Sequence, residues 1–90
     1  MIIVLLDYVA DVTPHRAAHI EWLKAALADG RLVTAGRQPE TGGVLIANGP
    51  RDDVEAWAKT DPYQTESVVS ARYVEFTPAM AAPGLESLLP

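Results

Sequence analysis

The chain opens with six consecutive apolar residues, Met1-Ile2-Ile3-Val4-Leu5-Leu6, and Asp7 stops the run. Leucine and β-branched side chains in so short a stretch favour a strand, since a helix needs at least about 10–12 residues. Successive side chains of a strand point to opposite faces, so a run that is apolar at every position must be covered on both sides. The segment from Ile2 to Val9 is therefore expected inside a sheet that has something packed on each face. No basic residue precedes it, and a secretory apolar region needs about 7–15 residues behind a positive segment. A spanning helix needs about 20. The run reads as a buried strand, and no membrane partner is expected.

The remaining elements follow from punctuation and periodicity. Thr13-Pro14 offers an N-cap followed by proline at the first helical position, and Gly30 is placed to close the helix that runs to Asp29. Its expected inward stripe is the stem of Arg16 with Ile20, Leu23 and Leu27, with His15, His19, Trp22 and Ala26 along one edge. Arg31 to Ala35 and Val44 to Ala47 read as strands, and Gly36 to Gly43 between them as a loop. A second helix starts at Asp52 or Asp53, turns Val54, Trp57 and Ala58 toward a sheet, and is ended by Pro62. Val68 to Phe76 is the fourth strand. The order βαββαβ is the ferredoxin-like split βαβ, an α+β fold with a four-stranded antiparallel sheet and both helices on one face.

That arrangement leaves the second face of the sheet bare, yet Ile2–Leu6 and Val44-Leu45-Ile46 are apolar at both parities. A second copy packed sheet against sheet covers it, which implies a homodimer of the dimeric α+β barrel type. Ninety residues hold one domain, expected over residues 1–78, and residues 79–90 form a proline-containing tail. The 12 Asp and Glu outnumber the 7 Lys and Arg, a net charge of −5 that argues against nucleic acid as a partner. With no cysteine there is no disulfide, zinc–thiolate site or thiol nucleophile, and the cytoplasm is the simplest compartment.

Few residues are equipped for chemistry near neutral pH. His19 is one of two histidines, and it is either a general acid or base at a pocket mouth or a helix-edge ring packed on Trp22. Asp61, in Thr60-Asp61-Pro62-Tyr63, supplies a carboxylate where the end of the second helix can approach the middle of the first, although Asp-Pro is also ordinary turn chemistry. His15 and His19 are four residues apart, but no general-base glutamate accompanies them and Arg16 stands beside them, so no metal is expected. No nucleophile elbow surrounds Ser67, Ser70 or Ser87. The glycines lack phosphate-loop spacing, so no cofactor is implied.

Several of these pieces together resemble the YciI-like (YCII-related) family. They are Arg16-Ala17-Ala18-His19, Asp29-Gly30-Arg31-Leu32-Val33-Thr34-Ala35-Gly36, Gly43-Val44-Leu45-Ile46 and Asp61-Pro62-Tyr63. The resemblance implies ferredoxin-like subunits joined through their sheets, and an active site built on a His–Asp pair that falls on His19 and Asp61. Activity in the family is mostly undetermined, with some members associated with the breakdown of chlorinated aromatic compounds. Two positions depart from its pattern. Gly36-Arg37 stands where glycine-proline is usual, and Gln64-Thr65-Glu66-Ser67 lacks the usual small residues and glycine.

Two functions fit. One is a small dimeric enzyme acting by isomerase- or lyase-type proton transfer on a compact organic molecule. In it His19 moves the proton, Asp61 orients it, Arg16 holds an anionic group, and Tyr63 and Trp22 wall the cavity. The other is a non-catalytic module that binds a small ligand or a protein, with His19–Asp61 as a structural hydrogen bond.

Overall fold

The computed structural model describes residues 1–90. Its elements are β1 (Ile2–Tyr8), α1 (Arg16–Ala28), β2 (Leu32–Gln38), β3 (Gly42–Ala47), α2 (Arg51–Ala58), α3 (Pro62–Thr65) and β4 (Val69–Glu75). Single 3-10 turns occupy Thr13–His15 and Glu86–Leu88. All strand pairs are antiparallel in the order β2-β3-β1-β4, so β1 and β2, joined through α1, flank β3. This is the ferredoxin-like α+β arrangement. No helix is long and apolar enough to cross a membrane.

The register divides β1 by parity. Ile2, Val4 and Leu6 face the helices and are fully buried, beside Leu45 and Ala47 of β3 and Val69 of β4. Ala26 of α1, Val54, Trp57 and Ala58 of α2, and Tyr63 of α3 close this core from above. Ile3 and Leu5 face the other way, and pairing sets them beside Ile46, Val44 and Val74 on a face that no element covers. Both faces of the central strand are thus apolar, and only one is covered within the chain.

Several boundaries differ from expectation. Thr13 does not cap α1 through its side chain; its backbone N–H donates instead to Asp11 Oδ1 at 3.0 Å. That bond, helped by Arg16 and His15, holds the Asp11 carboxyl below its usual value and starts the turn leading into α1. At the other end Gly30 adopts φ +84°, the left-handed conformation that closes a helix without Cβ strain. The expected loop from Gly36 to Gly43 is mostly strand, because Gly36, Arg37 and Gln38 pair with Val44, Gly43 and Gly42. Gly42 permits this: a Cβ there would stand 1.9 Å from the backbone oxygen of Leu6, so only glycine brings β3 this close to β1. Pro62 does not end α2, which stops at Ala58; it opens the single turn α3, with Asp61 as N-cap.

The largest correction concerns α1. Ile20 and Leu27 are 40% and 47% exposed, so neither belongs to the packed core, although Ile20 borders a cavity between α1 and the sheet. The inward residues are His19, Trp22, Leu23 and Ala26. Both sets recur at helical spacing, so periodicity alone admits either phase. The phase is decided by what α1 meets, the Trp57 ring and the Asp61 carboxylate.

Candidate functional site

Asp61 owes its position to local chain chemistry. α2 runs out at Ala58, and Thr60 and Asp61 continue in a turn held by backbone bonds to Trp57 and Ala58. Asp61 then caps α3 by accepting the Tyr63 backbone N–H at 2.9 Å. The residue is 0% exposed, and the same oxygen, Oδ1, lies 2.7 Å from Nδ1 of His19 on α1. A carboxylate oxygen only accepts, so Nδ1 is the donor to it. Oδ2 has no partner within the chain.

The His19 ring is fixed from its flanks as well. It stacks on Tyr63, with centroids 3.8 Å apart and planes 7° from parallel. Trp22 lies 6.1 Å away at 24° and stacks in turn on Trp57 at 4.3 Å and 12°. The Trp22 Nε1–H donates to Thr60 Oγ1 at 2.9 Å, and the Thr60 hydroxyl donates to the Trp57 carbonyl at 2.6 Å. This second tie joins α1 to the segment that carries Asp61. With Nδ1 committed, Nε2 is the nitrogen of His19 without a partner in the chain.

A cavity of about 240 Å³ lies between α1 and the sheet. His19, Arg16 and Tyr63 line it. Trp22 does not, because the phase of α1 turns it toward Trp57 and its role is to tie α1 in place. Sequence reasoning missed Tyr8, Ile20 and Arg37, which also line it, with Leu6, Leu23 and Leu45 as apolar floor. Tyr8 shares the parity of Ile2, Val4 and Leu6, and that signal places it on the helix side. Arg37 was hidden by reading its strand as a loop. Tyr8 meets Tyr63 edge-on at 6.2 Å and 89°.

The fold and this cavity define a ferredoxin-like protein with a His–Asp pair beside a small, arginine-bearing pocket. The model of the YCII-related domain matches residues 3–77, so the chain belongs to that family. Among solved structures it is similar to 5-chloro-2-hydroxyhydroquinone dehydrochlorinase (TftG) from Burkholderia phenoliruptrix, in complex with 2,5-dihydroxybenzoquinone. That likeness has a TM-score of 0.66 at 16% identity, covers 86% of this chain and 94% of the other, and is one of fold. No curated protein sequence matches the chain.

Because His19 is inward-facing, with 12% of its side chain exposed, its loss is not an innocent truncation. His19→Ala leaves the Asp61 carboxylate with the Tyr63 N–H alone and should cost on the order of 1–3 kcal/mol in urea unfolding. Asp61→Ala removes the cap too and should cost more. A double-mutant cycle should return a coupling of about 0.5–3 kcal/mol, whereas independent residues would give additive losses.

Burial pushes the Tyr63 hydroxyl above its ordinary value of 10.0, while the Arg16 guanidinium beside it pulls the other way. The folded protein then keeps a proton that the unfolded chain releases above pH 10, so stability falls as pH rises past that point. Tyr63→Phe removes this part of the fall. Its urea midpoint should drop less between about pH 9 and about pH 11 than that of the wild type.

Proposed function

We propose that the chain is a cofactor-independent proton-transfer enzyme of lyase or isomerase type, acting on a compact, anionic organic molecule held in the α1–sheet cavity. The observation that carries this reading is the state of His19: Nδ1 is committed to a buried carboxylate, while Nε2 is unpaired and the ring lines the cavity. An imidazole held this way is ready to take a proton at Nε2. Charge developing on the ring meets the Asp61 carboxylate at one edge and the Tyr63 π-face 3.8 Å away. Arg16 binds an acidic group of the substrate, and Tyr8, Tyr63 and the leucine floor exclude water from its ring or chain.

The proton removed leaves its electron pair on the substrate, where it becomes a new double bond. In an elimination a leaving group departs with its own bonding pair. In an isomerisation His19 returns the proton at another atom. The name of the similar dehydrochlorinase and its bound dihydroxybenzoquinone support a small oxygenated ring as the first substrate class to try. Chloride release or deuterium uptake from D₂O by chlorinated hydroquinones reads either outcome. His19→Gln should lower the rate by about 10²–10⁴-fold.

The second reading, a binding module, draws on one feature: most of the His19 surface is buried, with Tyr63 and Trp22 as its ring neighbours. Binding of these compounds without turnover, or turnover indifferent to His19→Gln, would favour it.

We further propose that two copies of this chain pack their open sheet faces together, with Ile3, Leu5, Val44, Ile46 and Val74 at the centre. A strand that is apolar on both faces is an aggregation liability unless both are covered, and β1 puts Ile3 and Leu5 on its open side. The interface should exceed about 1,000 Å² in total. Sedimentation equilibrium at micromolar concentration should give a dimer, and Leu5→Glu a monomer. A wild-type monomer would contradict the pairing.

A further inference from the structure

Arg37 is the part of the cavity that the proposed chemistry leaves unused. It lies one residue before the end of β2, and its pairing with Gly43 turns it to the same side as Ala35 and Leu45, toward α1. Gly43 opposite has no side chain, which keeps that end of the cavity floor open. Arg16 comes to the same cavity from α1, so the helix wall and the sheet wall each bring a guanidinium. Neither has a carboxylate at salt-bridge distance; the ion pairs of the chain are His19–Asp61, Lys24–Glu21 and Arg51–Glu55. In a chain with net charge −5, two unpaired guanidiniums at one small cavity run against the overall balance. A guanidinium offers a planar fork that matches a carboxylate, and its charge is permanent.

The size of the cavity limits what fits. Its volume of about 240 Å³ exceeds the roughly 150 Å³ that accommodates benzene and falls short of the roughly 300–1,000 Å³ of drug-sized sites. That leaves room for one substituted ring or a short chain. We infer that Arg37 makes this a two-point anion site, selecting a single-ring or short-chain molecule that carries two acidic groups, one for Arg16 and one for Arg37. The inference rests on the cavity being the substrate site and narrows the substrate class.

Calorimetric titration of the full-length protein with benzoate and with isophthalate tests it. Isophthalate should bind at least about tenfold more tightly, which corresponds to about 1.4 kcal/mol. Arg37→Gln should erase the difference and Arg37→Lys should keep part of it, while Arg16→Gln should weaken both acids; thermal unfolding verifies that each variant is folded. Equal affinity for the two acids in the wild type, or a preference that survives Arg37→Gln, would overturn the two-point site and leave the cavity reading standing. Failure of both acids to bind, or binding indifferent to Arg16→Gln, would overturn the cavity reading and this inference together.

Discussion

A carboxylate removed from water must be answered by hydrogen bonds or by opposite charge, and Asp61 is removed completely. Its answers come from two directions. The Tyr63 N–H, two residues away, ties it to the start of α3, and the His19 ring, 42 residues away, ties it to α1. Everything else about the site is arranged around that long-range contact. It selects the phase of α1, which puts Trp22 on Trp57 and leaves Ile20 and Leu27 partly in solvent. It commits one nitrogen of His19 and leaves the other free. The Tyr63 stack and the Trp22–Thr60 bond then hold the ring in plane and in place, so the imidazole is oriented before any ligand arrives.

The sheet serves two purposes through the parity of its side chains. On the helix side, Ile2, Val4 and Leu6 make a core as far as Leu6, and beyond it the same parity delivers Tyr8 to the cavity. β2 does likewise, passing from buried Leu32 to cavity-lining Ala35 and Arg37. The site thus lies where the buried core gives way to the cavity, between the sheet and Arg16, His19, Ile20 and Leu23 of α1. The open side carries a separate row of aliphatic side chains, unconnected with the cavity, and a partner pressed against it leaves the helix-side lining untouched.

How much of this was legible in the sequence varied with the physics behind each element. Ile2–Leu6 declared itself by composition and brevity, and the end of the first helix followed from Gly30. The His–Asp pairing was suggested by topology, which lets the end of the second helix approach the middle of the first, and by family resemblance; no local pattern encodes a contact across 42 residues. The phase of α1 was not legible, since 16-20-23-27 and 19-22-23-26 are equally helical, and large aliphatics outscore histidine and alanine when hydrophobicity alone is weighed. The reach of β2 to Gln38 was also hidden. Glycines that ordinarily mark a loop here allow close pairing, and that requirement resides in Leu6 on another strand. Arg37 was lost as a pocket residue for the same reason.

The central claim is that Asp61 holds His19 with the proton on Nδ1 and with Nε2 unprotonated and available. Two-bond ¹H–¹⁵N correlation spectra of the ring at mildly alkaline pH read this directly, because protonated and unprotonated ring nitrogens resonate in separate ranges. The account predicts a single Nδ1–H tautomer for His19 in the wild type. In Asp61→Ala, which removes the acceptor oxygen facing Nδ1, it predicts a rise of the Nε2–H tautomer. A His19 ring that is predominantly Nε2–H in the wild type, or a tautomer balance that Asp61→Ala leaves unchanged, would contradict it.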